Sequence, residues 1–333
     1  MTAKRKRLMK NNASLREIGK MLDDAGSVMI FPHINPDGDA LGSAIALCLH
    51  LRGEGKDAVV IMEDEFPHYV DFLDTDCCSC DAGVIASPDV SVSVDCSETK
   101  RFPANAGVYS GSRIKISIDH HEVTDPAGEY YYIDSEESAA AQIIYKLFRE
   151  MQWTVDDDIA KHLYTGIVTD TGCFQYSNTS AETHSIAADL MRYDIPHNDI
   201  MVRLYQNISR KRVEIQGRIL ETMEIFYGGA AAVAYVTGDM LRSVQAELDD
   251  TEGMVDILRN IEGVEIAAFL KEKQGAVRVS MRAKSSGDVN SIARAFGGGG
   301  HIKAAGCTLD MSMPEALQAV KHEIEKSLGN TAG

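Results

Sequence analysis

No stretch of this 333-residue sequence approaches the ~20 consecutive apolar residues that a membrane-crossing helix needs, so no membrane partner is expected. The basic start, MTAKRKRLMKNNASLREIGKML, is not followed by an apolar run of signal-peptide length and reads as a solvated tail leading into a helix. Positive charge is scarce too: 33 Lys and Arg stand against 50 Asp and Glu, a formal net charge of −17. That balance argues against a protein that tracks along long double-stranded DNA or RNA by releasing counterions. The seven cysteines lack metal-finger order. Cys77, Cys78 and Cys80 crowd together with no second pair or histidine at zinc spacing, so they read as buried or incidental thiols in a reducing, cytoplasmic setting. Internal repeats and low-complexity tracts are absent, and the single tryptophan, Trp153, is assigned no role.

What is present is ample apolar material, 44% of residues, and a length that favours two domains. Residues 1–200 carry 17 basic and 33 acidic side chains, whereas residues 201–333 carry 16 and 17. The acidity therefore sits in the first part, where a cation site would use it. Apolar, β-rich runs at 28–31 (VMIF), 58–62 (AVVIM), 90–94 (VSVSV) and 114–118 (IKISI) alternate with helical periodicity at Asp39–Leu51, Ala139–Glu150 and Asp158–Thr169. Such alternation predicts an α/β domain with a mainly parallel sheet. The pattern breaks near Tyr193–Pro196; beyond it come three strand-like runs, AAAVAYVT, VEIAAFLKE and AVRVSMRAK, with helices at Met254–Ile261 and Val289–Phe296. The expected division is an N-terminal domain over 1–190, a helical connector over 191–213, and a smaller C-terminal α/β domain over 214–330.

The chemistry-bearing residues follow the strands. HINPDGDALGS at 33–43 comes after VMIF and opens a helix, so His33, Asp37 and Asp39 fall past a strand's carboxyl end, where open α/β sheets collect ligands. The bland alternative makes Asp39 a helix cap and Asp37 a turn residue. Asp95 closes VSVSVD, and Asp119-His120-His121 closes IKISIDHH. A buried Asp at a strand end is unfavourable unless paired or metal-bound. Asp170 lies in GIVTDTGCF, at the end of a helix and among small residues. The set His33, Asp37, Asp39, Asp95, His120 and Asp170 mixes nitrogen and oxygen donors without thiolate, which suits two divalent cations, manganese first, with magnesium, cobalt or zinc less selectively accommodated.

These ordered motifs resemble the DHH phosphoesterase superfamily, and VSMRAK followed by VNSIARAFGGGGHIKAAG looks like the domain that accompanies DHH in its nanoRNase and exonuclease branches. The resemblance spans nearly the whole chain. It implies that His33, Asp37 and Asp95 hold one manganese, and that Asp39, Asp95, His120 and Asp170 hold the other, with Asp95 bridging. It gives His121 the scissile phosphate and Asp119 the orientation of a histidine. In GGGGHIKAAG the glycines let backbone amides approach an anion, His301 adds a donor, and Arg282 supplies a fixed fork for phosphate. Arg282, Gly299, Gly300 and His301 are thus candidate substrate residues, with the active site expected in the cleft between the domains.

The reaction implied is in-line water attack assisted by two metals on short oligoribonucleotides of two to five nucleotides, or on 3′-phosphoadenosine 5′-phosphate. Alternatives are a phosphodiesterase for linear or cyclic dinucleotides, and a nucleotide-binding regulator that kept the fold and lost the chemistry. A homodimer is compatible with the sequence. Phe174 and Tyr176 read more simply as packing than as base-stacking residues. His50, His162 and His184 lack matched partners and read as ordinary residues.

Overall fold

The structure is a computed structural model that describes residues 11–331 apart from Thr124 and Gln274; the basic run Lys4–Lys10, expected as a solvated tail, lies outside the described residues. The chain divides into two compact units, Met1–Asn207 and Ile208–Gly333, so the segment expected as a connector, 191–213, is shared between them. No described helix is long and apolar enough to cross a membrane.

The first unit runs α1 (Leu15–Asp24), β1 (Ser27–Phe31), α2 (Gly38–Gly53), β2 (Asp57–Ile61), β3 (Cys78–Ser79), β4 (Val90–Val94), α3 (Ala106–Gly111), β5 (Ile114–Asp119), β6 (Tyr130–Ile133), α4 (Ala140–Met151), α5 (Asp157–Asp170), α6 (Ala181–Leu190) and α7 (His197–Tyr205). The strands pair in the order β3-β2-β1-β4-β5-β6, all parallel. A parallel sheet is covered on both faces, which is why β4 is buried at every position and β1 at all but its first residue. The strand order turns around between β1 and β4, so a crevice opens past their carboxyl ends. The residues after Phe31 and Val94 are delivered there.

The sequence presents α2 as a helix with one broad apolar side; the structure buries it almost all round, Leu41, Ala44, Ile45, Leu47 and Cys48 included. The reason is its position, wedged between the sheet and α5. At Gly42 a Cβ would lie 2.4 Å from the His162 carbonyl oxygen, so glycine is what allows the two helices to approach. That approach sets the start of α2 beside the end of α5.

The second unit runs α8 (Arg210–Glu221), β7 (Glu224–Phe226), β8 (Ala231–Val236), α9 (Gly238–Ser243), α10 (Met254–Arg259), β9 (Ile266–Lys273), β10 (Ala276–Ala283), α11 (Val289–Ala295), β11 (Gly299–Gly300), β12 (Ala304–Leu309) and α12 (Met313–Thr331). Its sheet has the order β11-β12-β10-β9-β8-β7 and is mixed: β8 and β9 are parallel, the other pairs antiparallel. Alternate residues of β9 and β10 feed two cores. Ile266, Ala268, Val279 and Met281 pack with Val289, Ile292, Val320 and Ile324 of α11 and α12; Ala267 and Phe269 pack on the other face with Ile215, Ile219, Met254 and Leu258 of α8 and α10. Three strands beyond those expected, β7, β11 and β12, complete the sheet. Ala- and Gly-rich AAGCTL has weak β propensity, and only its pairing with β10 makes it a strand.

Candidate metal centre

Local structure in the first unit brings eight polar residues to one rim. His33 follows β1 by a short extended segment, and its Nδ1–H donates to the Ile34 carbonyl at 2.8 Å. That bond leaves Nε2 to face Asp95 Oδ2 at 3.5 Å and Asp37 Oδ2 at 4.0 Å. Asp37 is the N-cap of α2: its Oδ1 accepts from the amides of Asp39 and Ala40, both at 3.0 Å, so its other oxygen turns to the crevice. Its side chain keeps 47% of its surface exposed.

Asp39, one residue inside α2, is fully buried. It does act as a cap, though of another helix: its carboxylate accepts from the amides of Ala140 at 2.6 Å and Ala141 at 2.9 Å, at the start of α4, and from Ser43 Oγ at 3.2 Å. The positive end of α4 thereby steadies a charge that burial would otherwise make very costly. Asp39 Oδ2 also lies 3.9 Å from His120 Nε2.

Asp95 stands at the middle. It follows β4 with φ 58°, a left-handed turn that Asp tolerates better than most residues, and its amide donates to the Ile118 carbonyl. The turn aims its carboxylate inward, 3.3 Å from His120 Nε2 and 3.4 Å from His121 Nδ1 through Oδ1, and toward His33 through Oδ2. His120 repeats the logic of His33: Nδ1 faces the Glu137 carbonyl at 3.3 Å, and Nε2 meets Asp95 and, at 3.6 Å, Asp170 Oδ2. Asp170 is the last residue of α5. Asn178 Nδ2 donates to its carbonyl at 3.1 Å and to that of Ser138 at 2.9 Å, tying the following loop back to the site.

The DHH triplet separates in role. Asp119 is buried and its Oδ1 receives both the amide and Nδ1 of His121, each at 2.9 Å. It therefore orients His121, while His120 turns into the carboxylates. The His121 side chain keeps 44% exposure.

The electrostatics are those of a crowded acidic pocket. Burial, then the neighbouring charges of Asp95 and Asp170, push the Asp39 carboxyl well above the usual range. Burial first, with Asp95 and Asp37 behind it, lifts Asp170 to about 6, and burial with Asp95 raises Asp37. For His120 burial disfavours the charged ring, but the hydrogen bond and charge of Asp95, followed by Asp39 and Asp170, raise it to about 11. His33 is raised against the same opposition by Asp95 and Asp37. Asp95 takes the opposite course: burial works against its charge, yet bonds from His120 and His33 hold it below the ordinary carboxylate range. Without cations, protons must supply the positive charge that these carboxylates require.

The donor set fits divalent cations. Ligand atoms of His33, Asp37 and Asp95 lie within 4.8 Å of one another, as do those of Asp39, His120 and Asp170, and those of Asp95, His120 and His121. Asp95 Oδ1 and His120 Nε2 are buried without a regular hydrogen-bond partner, an expensive condition that a coordinated ion would relieve. Oxygen and imidazole donors with no sulfur form a set that divalent cations accept.

In the second unit Arg282, on β10, stands in register with Ala304 of β12, and β12 pairs Gly306 and Ala305 with Gly299 and Gly300. Glycine at 300 is needed by the backbone: φ is 144°, and a Cβ would meet the Ala304 carbonyl at 2.5 Å. His301 is exposed in the turn between β11 and β12, its amide donating to Ala304. Arg282 Nε lies 3.8 Å from Asp256 Oδ1, to which Arg259 also pairs at 3.1 Å. A hollow of about 100 Å³ lined by Thr251, Gly253, Asp256, Lys271, Ser280 and Arg282 opens there. Sequence reasoning missed Ser43, Glu137 and Asn178, because residues that act through a carbonyl or by steadying a loop carry no motif. Phe174 stacks on His184 at 5.1 Å, as packing. His162 is buried between the carbonyls of Asp158 and Leu73, and His50 stacks on Trp153 at 4.1 Å.

Comparison with known proteins agrees in both units. Residues 27–167 match the model of the DHH family, N-terminal domain, and residues 228–329 match the DHHA1 domain. The chain is 31% identical over 310 residues to the bifunctional oligoribonuclease and PAP phosphatase NrnA of Thermus thermophilus, covering 91% of each chain. It is 27% identical over 292 residues to the protein of the same name in Bacillus subtilis, covering 85% of this chain and 89% of that one. The crystal structure of an exopolyphosphatase-related protein from Bacteroides fragilis superposes with a TM-score of 0.91 at 26% identity, covering 96% of this chain and 97% of the other.

Proposed function

We propose, for a chain that belongs to the DHH family and carries a DHHA1 domain, that it is a phosphoester hydrolase cutting short oligoribonucleotides of about two to five nucleotides and 3′-phosphoadenosine 5′-phosphate. The observation that carries this reading is the convergence of six side chains, His33, Asp37, Asp39, Asp95, His120 and Asp170, in which Asp95 Oδ1 and His120 Nε2 are buried without a well-directed hydrogen bond. The names of the Thermus and Bacillus relatives support the substrate class. In the proposed assignment His33, Asp37 and Asp95 hold one manganese ion, Asp39, Asp95, His120 and Asp170 the other. When bound, such ions supply Lewis-acid activation of water and neutralise charge on the transferring phosphoryl group.

The chain's own residues do the rest. Nδ1–H bonds to the carbonyls of Ile34 and Glu137 keep Nε2 of His33 and His120 turned to the carboxylates. Asp119 locks the His121 ring, so that His121 can donate to the oxygen that leaves phosphorus. Arg282 offers a planar fork for a terminal phosphate, with Gly299 and Gly300 one strand further on, across β12, and His301 in the turn that joins β11 to β12. The net charge of −17 favours small substrates, whose few phosphates are met by local cations, over long polyanions.

The test is incubation of the purified protein with manganese and a panel of di- to pentanucleotides, 3′-phosphoadenosine 5′-phosphate, linear and cyclic dinucleotides and pyrophosphate, with products identified by mass. Mononucleotides from the short RNAs and AMP from the bisphosphate are expected. Release of phosphate from pyrophosphate alone, or no metal-dependent product at all, would overturn the reading.

A further inference from the structure

Three tyrosines that the hydrolytic reading leaves unused stand about half exposed, on segments that touch the helices carrying Asp37, Asp39 and Asp170: Tyr69 at 52%, Tyr176 at 45% and Tyr205 at 43%. They come from separate segments. Tyr69 lies in the short helix His68–Leu73, where its phenol oxygen meets the Gly38 amide and feels the charge of Asp37. Tyr205 ends α7; its hydroxyl donates to the Val168 carbonyl at 3.1 Å, two residues before Asp170. The helix bearing Tyr69 is pinned to α7 by Arg203, which pairs with Asp71 at 3.4 Å and covers the Phe72 ring at 5.7 Å. Tyr69 and Tyr205 are electrostatic neighbours, and so are Tyr205 and Tyr176.

The placement of Tyr176 is costly, which makes chance exposure a poor explanation. Directly after Asp170 and Thr171, three successive residues, Gly172, Cys173 and Phe174, have φ of 54°, 58° and 63°. Two of them are not glycine, and the left-handed region is strained for such side chains. The result is a loop that folds the Tyr176 ring onto the Cα of Gly172, where any Cβ would lie 2.3 Å from the ring. An aromatic ring is thereby fixed six residues from one carboxylate of the cluster, while Tyr69 is fixed beside another.

We propose that Tyr69, Tyr176 and Tyr205 form a nucleobase-stacking platform next to the metal centre, taking the base attached to the ribose nearest the scissile phosphate. The proposal rests on the phosphoesterase reading above. With Tyr69 and Tyr205 anchored through their hydroxyls, ring surface is what they present, and every base has a π-face to lay on it, so the platform binds bases without selecting one. It also answers a problem of charge: a pocket this acidic repels a nucleotide until cations arrive, and a neutral base offers a handle that the carboxylates do not oppose. Tyrosine provides that handle with few rotamers to immobilise.

The experiment uses the full-length protein with manganese and two dinucleotides, one carrying 2-aminopurine and linked by a phosphorothioate, the other abasic at the same position. Binding of the first is read from quenching of the 2-aminopurine fluorescence on stacking and binding of the abasic one from its competition against it, turnover from mass analysis of unmodified dinucleotide. Tyr69→Leu and Tyr176→Leu are each expected to weaken the base-bearing ligand by about fivefold or more and to shrink its advantage over the abasic one. Tyr69→Phe should keep both quenching and advantage, which separates stacking from misfolding. An unaltered advantage in both leucine variants would overturn the platform even where hydrolysis is observed. Base-dependent quenching that the leucine variants lose, in a protein that gives no metal-dependent product from any oligonucleotide or from 3′-phosphoadenosine 5′-phosphate, would keep the platform and sink the hydrolytic reading.

Discussion

Replacing Asp95 by Asn tests the centre of the site with little collateral damage. Asp95 has φ 58°, and Asn is the substitute that tolerates this conformation equally well, so the change removes a charge and leaves the turn alone. That charge sits 3.5 Å from His33 Nε2 and 3.3 Å from His120 Nε2, the two positions through which it would serve both cations. A cation shared with either ring would lie closer than that, so a unit charge interacts with it by at least about 5 kcal/mol at an effective dielectric of 20. Taking half of this as what survives the opposing desolvation gives about 2.5 kcal/mol at each cation position. That is close to a hundredfold in affinity at each, and on the order of 10³–10⁴ when both must be filled. The assay is production of mononucleotide from a dinucleotide in millimolar manganese, followed by mass, with circular dichroism to show an intact fold. Turnover within tenfold of the unaltered protein would refute the idea that Asp95 bridges.

Four further outcomes are expected. In metal-free protein, His120 is raised from 6.5 to about 11, with His33 and His121 shifted the same way, so their stabilisation is complete below about pH 6.5 and is lost as pH climbs toward 11. Thermal unfolding in chelator should therefore fall between pH 7 and 10 while the gain on adding manganese grows; a flat profile in chelator contradicts the assignment. His121→Asn should lower kcat by about 10²–10⁴ and leave manganese binding by calorimetry nearly unchanged, because His121 is held by Asp119 and in the proposed assignment acts on the substrate. Arg282→Ala should raise KM for substrates with a terminal phosphate by roughly tenfold, the worth of a charge-assisted bond, and an unmoved KM for every substrate removes the anchoring role. Gly42→Ala should cost about 1–3 kcal/mol in denaturant unfolding, since its Cβ would press on the His162 carbonyl at 2.4 Å and spread α2 from α5; an unshifted midpoint would show that these helices do not set the spacing of Asp39 and Asp170.

Legibility varied with the kind of signal. Strands β1, β2, β4 and β5 and helices α2, α4 and α5 were readable because apolar period and length agree with what the sheet and its covering layers require. The strands β3 and β6 were not, being two and four residues long and paired at the sheet's edges. The glycine run at 297–300 read as an anion loop; two of its members form an edge strand, where Gly300 is required by contact with the Ala304 carbonyl. The cysteines read as bland, and Cys48, Cys77, Cys96 and Cys307 are indeed buried free thiols.

The sequence by itself determined which residues could act, since acids and histidines placed after buried strands have no comfortable alternative to pairing or coordination. Only the tertiary structure decided how they divide the work. Asp39 caps α4 from 101 residues away, Asp119 takes His121 in place of His120, and backbone carbonyls of Ile34 and Glu137 choose which imidazole nitrogen faces the carboxylates. Tyr205 is brought to the Val168 carbonyl, 37 residues away in sequence and two residues before Asp170, for the same reason. Such arrangements depend on distances between segments far apart in the chain, and a linear order of side chains carries no information about which of them will share a low-dielectric volume.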